Sequence, residues 1–500
     1  MLQIHWYKKY ADSKLSSVHL LSAKKLILSD KKYLGEKVFS FLNIEHQFKE
    51  QVDWNYLGHG KLWNYNLQYF DFLFDVHITD TEKACLLNDF SEKLLSGHIP
   101  PEPYPVSLRL INWIIYYSET NINSPAFHKA LKYQVDYLEH NLEFHIQANH
   151  LWENYIALAF SGLALRDETL TVHSLRSVER QLKEQVFADG GHYEGSPMYQ
   201  SILLAKLLML LDAWENTDWV TQDNEWLRIG VSKMLGWLDA FSFRNQTWAF
   251  LNDATAGIAP QLSVLKDVSA QMHIAATEIK LKESGYRKME NRYFEVLVDI
   301  ADIQPEYQPG HSHSDMLSFC MQYKGMPVFV DPGISTYQTN SRRMLERSTA
   351  LHNTVAVNQK NQSEIWSSFR VGKRAKLTIE CDSEKRIVAY HNGYLGTEGI
   401  LHDRTFTLED TRFNITDCLK GDNPNKQGLA SFYLDHTVKL YIEESSGLLQ
   451  INDDLMMRFS GECSFEIDTY RQALGFNFLE NSKVIRVYFS GSLSTSIFAK

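Results

Sequence analysis

Apolar residues recur at helical spacing up to about residue 290, and from there the period shortens to two. In Pro105–Tyr117, PVSLRLINWIIYY, the residues Val106, Leu110, Trp113, Ile114 and Tyr117 share one face, which predicts an amphipathic helix. Phe127–Leu142, Asn149–Leu165, Leu175–Phe187, Pro197–Trp214 and Trp226–Phe243 read as further helices. The Pro197 stretch is apolar almost all round, which suits a helix enclosed by others, and Ser196 before it supplies an N-cap. Beyond residue 290, short alternating runs such as Tyr293–Asp299, Met316–Tyr323, Arg404–Leu408, Phe413–Asp417, Phe465–Asp468 and Val484–Phe489 predict strands. Turn segments such as KGM, HNG and KGDNPN separate them, so an antiparallel sandwich or barrel is expected. The chain thus divides into an aromatic-rich segment 1–100 packing on a helical domain, the helical domain 101–290 and a β-domain 291–500.

Length and charge narrow the classes. Five hundred residues suit two or three domains. With 61 acidic against 50 basic side chains the net charge is −11, which argues against a nucleic-acid partner. An anionic substrate then needs local positive charge, and Arg342, Arg343, Arg347, Arg370, Lys373, Arg374 and Lys376 provide it. For the 370–376 run a solvated face is the stronger reading. The five cysteines are scattered without a C-x-x-C pair, so neither a thiolate metal site nor a disulfide framework is expected. The N-terminal stretch has no apolar core of a signal peptide, which places the chain in the cytoplasm on sequence alone. No run approaches the length of a membrane span.

Candidate chemistry falls in separate clusters. Asn149 and His150 open the helix NHLWENYIALAF, where free N–H groups and the helix dipole favour an anionic group, although Asn149 is equally an ordinary N-cap. DGGHYEGSPMY, Asp189–Tyr199, is a Gly-rich loop entering the Pro197 helix, with Tyr193 and Tyr199 as phenols able to move a proton. In GHSHSD, His311 and His313 lie two apart, so extended backbone projects both to one face. His313, Asp331 in VDPG and His352 in LHNTV form a donor set suited to zinc, or to a metal-free hydrogen-bonded cluster.

Taken in order, WNYNLQYFDFL, EPYPVSLRLINW, ANHLWENYIALA, DGGHYEGSPMYQ, GHSHSDMLSF, VDPGISTY and ALHNTVAVN resemble the heparinase II/III-like polysaccharide lyases. The resemblance implies an α+β multidomain fold: an α/α toroid, an incomplete barrel of helical hairpins, followed by a C-terminal antiparallel β-sandwich. It implies β-elimination on a uronic-acid-containing polysaccharide, with C5 proton abstraction, O4 as leaving group and unsaturated uronate ends. Asn149, helped by His150, then neutralises the uronate carboxylate, Tyr199 serves as base or acid, and His311 and Tyr337 are further catalytic residues. Arg343, Arg347, Glu194 and Trp152 are assigned to substrate binding, and His313, Asp331 and His352 to a structural zinc, with no organic cofactor. Relatives acting on external polysaccharide are exported, so a periplasmic or secreted location is the family's alternative.

Two other classes compete. A glycoside hydrolase on the same toroid needs a pair of carboxylates, for which Glu153, Glu194 and Asp253 are the helical-region candidates. A non-catalytic polysaccharide-binding or assembly protein is weaker, because every polar residue the elimination requires is present.

Overall fold

The computed structural model describes residues 18–21, 32–120, 124–443 and 448–500. The N-terminal stretch read above for a leader falls largely outside them. Two compact units form: Met1–Val186 with Ser201–Leu235 and Gly257–Ala276, and Phe187–Gln200 with Gly236–Ala256 and Thr277–Lys500. Two segments of the helical stretch, 187–200 and 236–256, therefore group with the β-strands, an arrangement that a linear cut at residue 290 does not describe.

The first unit is built from helical hairpins. Helix Ala148–Leu165 ends on Arg166 in the left-handed region, and the Asp167 side chain then accepts from the Leu170 N–H to start Glu168–Gln185. Capping of this kind turns the chain within two residues. The two helices pack at near-backbone distance, since a Cβ on Gly162 would come within 2.5 Å of Thr171 Oγ1. The helix read as Leu175–Phe187 begins earlier, at Glu168, where Asp167 caps it and Leu170 is already buried. The other helices read from periodicity appear as Pro103–Thr120, Pro125–His140, Pro197–Glu215 and Glu225–Phe241. Ahead of them, the ring of Phe70 meets Trp113 edge-on at 5.4 Å and Phe90 at 4.9 Å. Buried Arg109 donates to the Gln68 carbonyl at 2.8 Å, which fastens helix Lys61–Tyr69 to Pro103–Thr120.

Two antiparallel sheets form the body of the second unit. A four-stranded sheet runs Tyr286–Glu290, Phe294–Asp299, Phe319–Tyr323, Met326–Phe329 in that order. The larger sheet is centred on the hairpin Leu455–Gly475 and Phe478–Ala499, whose second strand also pairs with Arg412–Lys420 and Gly428–Tyr433. Both sheets contribute to one core: the Phe319 ring lies 6.2 Å from Phe406, 5.6 Å from Phe413 and 6.3 Å from Phe432. Two sheets closing on a shared apolar layer make a β-sandwich. The central hairpin is far longer than the runs Phe465–Asp468 and Val484–Phe489 read from alternation, because many of its positions are exposed and polar. Among the described residues no helix is long and apolar enough to cross a membrane.

Candidate active site and metal cluster

The Gly-rich loop is tied down at both ends. Asp189 Oδ2 accepts from the backbone N–H of Lys282 at 2.9 Å and of Ser284 at 3.0 Å, and from the Ser284 hydroxyl at 2.7 Å. Gly195 sits at φ +65°, and a Cβ there would come within 3.0 Å of Asn252 Nδ2 and 3.1 Å of the Tyr286 hydroxyl. Both the backbone conformation and the close approach demand glycine. Ser196 Oγ then accepts from the Tyr199 N–H at 3.3 Å and donates to the Asp253 carbonyl at 2.7 Å. One hydroxyl thus caps the helix that carries Tyr199 and positions Asp253.

Asp253 is the hub of the site. Its Oδ2 accepts from His311 Nδ1 at 2.8 Å and its Oδ1 from His313 Nε2 at 2.9 Å. Arg343 binds both carboxylate oxygens, Nη2 to Oδ2 at 2.7 Å and Nη1 to Oδ1. Burial alone would raise this carboxyl, but Arg343 and the two imidazole bonds hold it well below the ordinary aspartate value. An ionised carboxylate only accepts hydrogen bonds, so each ring carries its proton on the nitrogen facing Asp253. In its neutral form His311 presents a lone pair on Nε2, and neutral His313 presents one on Nδ1. Burial pushes His313 down to about 4, so it stays neutral.

Tyr199 completes the cluster. Its ring lies 4.1 Å from the His311 ring, and its hydroxyl is 3.1 Å from that of Tyr337. Burial, then the neighbouring phenol and Asp253, raise Tyr199 well above the ordinary tyrosine value, so it rests as a proton donor. Burial and Asp253 raise Tyr337 likewise. Glu194 is buried between two imidazoles, 3.7 Å from His311 Nε2 and 3.5 Å from His192 Nδ1. Burial, with His311 beside it, lowers His192 to about 3.

Behind His311 lies a second group of donors. Atoms of His313, Asp315 and His352 lie within 4.8 Å of one another, all buried. Among the described residues His313 Nδ1, Asp315 Oδ2 and His352 Nε2 have no hydrogen-bond partner. Buried polar atoms are rarely left so, and three aimed at one point fit a metal ion. Asp331 Oδ2 accepts from His352 Nδ1 at 2.6 Å, which leaves the Nε2 lone pair for that point. Asp331, assigned above as a ligand, therefore orients His352 from behind. Asp315, which the sequence reading did not single out, is the carboxylate among the converging atoms. Burial raises Asp315 to about 6, with Asp331 adding to the effect and His352 opposing it, as expected of an acid in a crowded buried site.

Asn149, His150 and Trp152 belong to the helical unit. The N-cap of their helix is Gln147, so Asn149 is not a capping residue. Gln147 and Ala148 have φ of 63° and 50°, strained for residues with a Cβ, and Asn149 follows directly. Ala148 is held there by Gln185 Nε2, which donates to its carbonyl at 3.0 Å. His150 Nδ1 is 3.1 Å from Glu143 Oε1, and Tyr104 covers its ring at 4.2 Å. Three substrate-contact assignments need correction. Trp152 is fully buried, so its ring presents no surface to a sugar. Arg343 is buried, with its guanidinium taken up by Asp253 and the Ser368 carbonyl. Arg347 is equally buried and donates to the carbonyls of Ser312 and Ser367 at 2.8 and 2.6 Å.

The family profile described as Heparinase II/III N-terminus matches residues 110–274, and that described as Heparinase II/III-like, C-terminal matches 275–494. The chain belongs to the heparinase II/III-like polysaccharide lyases. No curated protein matches this lyase in sequence. Among solved structures, a heparinase III aligns with a TM-score of 0.76 at 14% identity, over 99% of this chain and 89% of that one. The heparan sulfate lyase HepC from Pedobacter heparinus gives 0.59 at 15% identity, over 100% of this chain and 87% of that one. A chondroitinase AC lyase gives 0.53 at 10% identity, over 99% and 82%. The likeness establishes the α/α toroid and β-sandwich fold for this lyase. Asp253 entered the sequence reading only as a hydrolase carboxylate, because nothing local marks it. Asp315 did carry a signal, since 311, 313 and 315 alternate along GHSHSD.

Proposed function

We propose that this lyase cleaves a uronic-acid-containing polysaccharide by β-elimination, with His311 as base and Tyr199 as acid. The observation that carries the reading is the Asp253–His311 bond, which turns Nε2 away from the carboxylate on a ring whose centroid lies 4.1 Å from that of the protonated Tyr199 phenol. His311 Nε2 takes the C5 proton; the C5–H pair becomes the C4–C5 double bond as C4–O4 breaks; Tyr199 gives its proton to O4. Tyr337 steadies the Tyr199 hydroxyl. The C5 proton is acidic enough only when the uronate carboxylate is neutralised, and Asn149 with His150 is assigned that task. The strained backbone before Asn149 supports the assignment, since such strain clusters at functional positions.

His313, Asp315 and His352 are proposed to hold zinc, whose preferred donors they match. Bound there, zinc supplies a structural tie between the 311–315 segment and His352. The elimination itself is assigned to side chains.

A hydrolase needs one carboxyl protonated as general acid. Asp253 is kept ionised by Arg343 and two imidazoles, so it does not serve as that acid. Incubation with heparan sulfate, chondroitin sulfate, hyaluronan and alginate tests the proposal. Elimination yields shortened chains with an ultraviolet-absorbing unsaturated end. Shortening without absorbance would establish a hydrolase, and binding without shortening a carrier protein.

A further inference from the structure

The hairpin Ile365–Ser367 and Arg370–Val371 forms a two-stranded sheet of its own, outside both layers of the sandwich. It is nevertheless held tightly. Arg343 Nε donates to the Ser368 carbonyl at 3.1 Å and Arg347 Nη1 to that of Ser367 at 2.6 Å, so two buried guanidinium groups fix its backbone. Its tip reaches the catalytic cluster: the Phe369 ring lies 5.2 Å from Tyr337 and 6.0 Å from His311. Ile365 is buried and Val371 half-buried, which makes one face of the hairpin its inner face.

Trp366 and Arg370 face solvent. Trp366 is 60% exposed, whereas Trp54, Trp63, Trp113, Trp152 and Trp237 are fully buried. Arg370 is exposed and forms no ion pair among the described residues. The register sets Ser367 opposite Arg370, with an irregularity beside Trp366, so ring and guanidinium lie on neighbouring strands within one short ribbon. A flat exposed ring loses hydration at little entropic cost when a pyranose covers it. An unpaired guanidinium is suited to a carboxylate or sulfate in bidentate geometry. Lys373 and Arg374 follow in the same stretch of a chain whose net charge is −11.

We propose that Trp366 and Arg370 form a subsite for an anionic sugar of the polysaccharide near the bond that is cleaved. Trp366 stacks on the ring and Arg370 pairs with its acid group. The hairpin is then a rigid platform, which explains why two buried arginines anchor a ribbon that the core does not need. The proposal rests on the elimination reading and adds to it a place where the substrate is gripped.

The test uses whichever of the four polymers named above is cleaved. Trp366→Ala should raise KM about tenfold and Arg370→Ala about threefold, with kcat within about twofold of the parent. Acrylamide quenching of Trp366, isolated by comparison with Trp366→Phe, should fall when the same polymer is added to Tyr199→Phe protein. Cleavage with KM unchanged in both variants overturns the subsite and leaves the elimination standing. If no polymer is cleaved and Tyr199→Phe protein binds none, the elimination reading fails and the subsite with it.

Discussion

Asp253 and His311 are joined by a 2.8 Å hydrogen bond that decides where the proton on the imidazole sits. The same carboxylate accepts from His313, so one buried anion orients the proposed base and a member of the candidate metal-binding group together. Arg343 makes this possible by supplying the charge that keeps Asp253 ionised.

Asp253→Asn should abolish most turnover and destabilise the fold, because the buried Arg343 loses its counter-charge, at a cost of about 3–5 kcal/mol. Combining it with Arg343→Met should restore the melting temperature but not kcat. Recovery of both would mean that Asp253 serves only to neutralise Arg343.

Tyr199→Phe removes one hydroxyl from a buried ring and should lower kcat by about a hundredfold or more with folding intact. Tyr337→Phe should cost less, since it removes only the partner of that hydroxyl. Product absorbance under saturating substrate measures both. A nearly active Tyr199→Phe would assign the proton donor elsewhere.

The cluster geometry ranks three variants by metal content. Asp315→Asn and His352→Ala should leave the protein without zinc and with a lower melting temperature. Asp331→Asn, which loosens His352 without removing a ligand, should weaken zinc binding by about 10–100-fold. Zinc titration against a competing chelator reads the order directly. Complete zinc loss in Asp331→Asn, with retention in Asp315→Asn, would return Asp331 to the ligand set.

Glu153 gives the helical unit a distinct pH signature. Both its oxygens are buried without hydrogen-bond partners among the described residues, and burial, only partly offset by Lys206, raises it to about 7. A carboxyl whose folded pKa lies above its unfolded value stabilises fully below the latter and loses that contribution as pH rises through the former. The loss develops between pH 4.5 and about 7 and amounts to about 3 kcal/mol. Glu153→Gln should therefore gain stability relative to the parent at pH 8 but little at pH 4.5 in urea unfolding. An equal effect at both pH values would show that Glu153 keeps an ordinary pKa.

Helices and strands were legible because their signals are local. The apolar face of Val106, Leu110 and Trp113 marks a helix within a few turns of chain, and Phe294, Val296 and Val298 alternate within one strand. The motifs around Asn149, Tyr199, His311 and His352 were legible too, as residue types in a recognisable order. Their partners were not. The Asp253–His311 bond spans 58 residues and the Tyr199–Tyr337 contact 138, and no short-range pattern encodes such a meeting. Arg343 and Arg347 illustrate the consequence, since charged side chains read as substrate contacts proved to be buried struts. The same holds for Asp315 and Asp331: both are acids near histidines in the chain, and packing puts Asp315 with His313 and His352 in the candidate metal-binding group and Asp331 behind His352. Sequence determined the elements and the stock of chemical groups, whereas burial and hydrogen bonding, which arise only when distant segments pack, decided protonation, orientation and role.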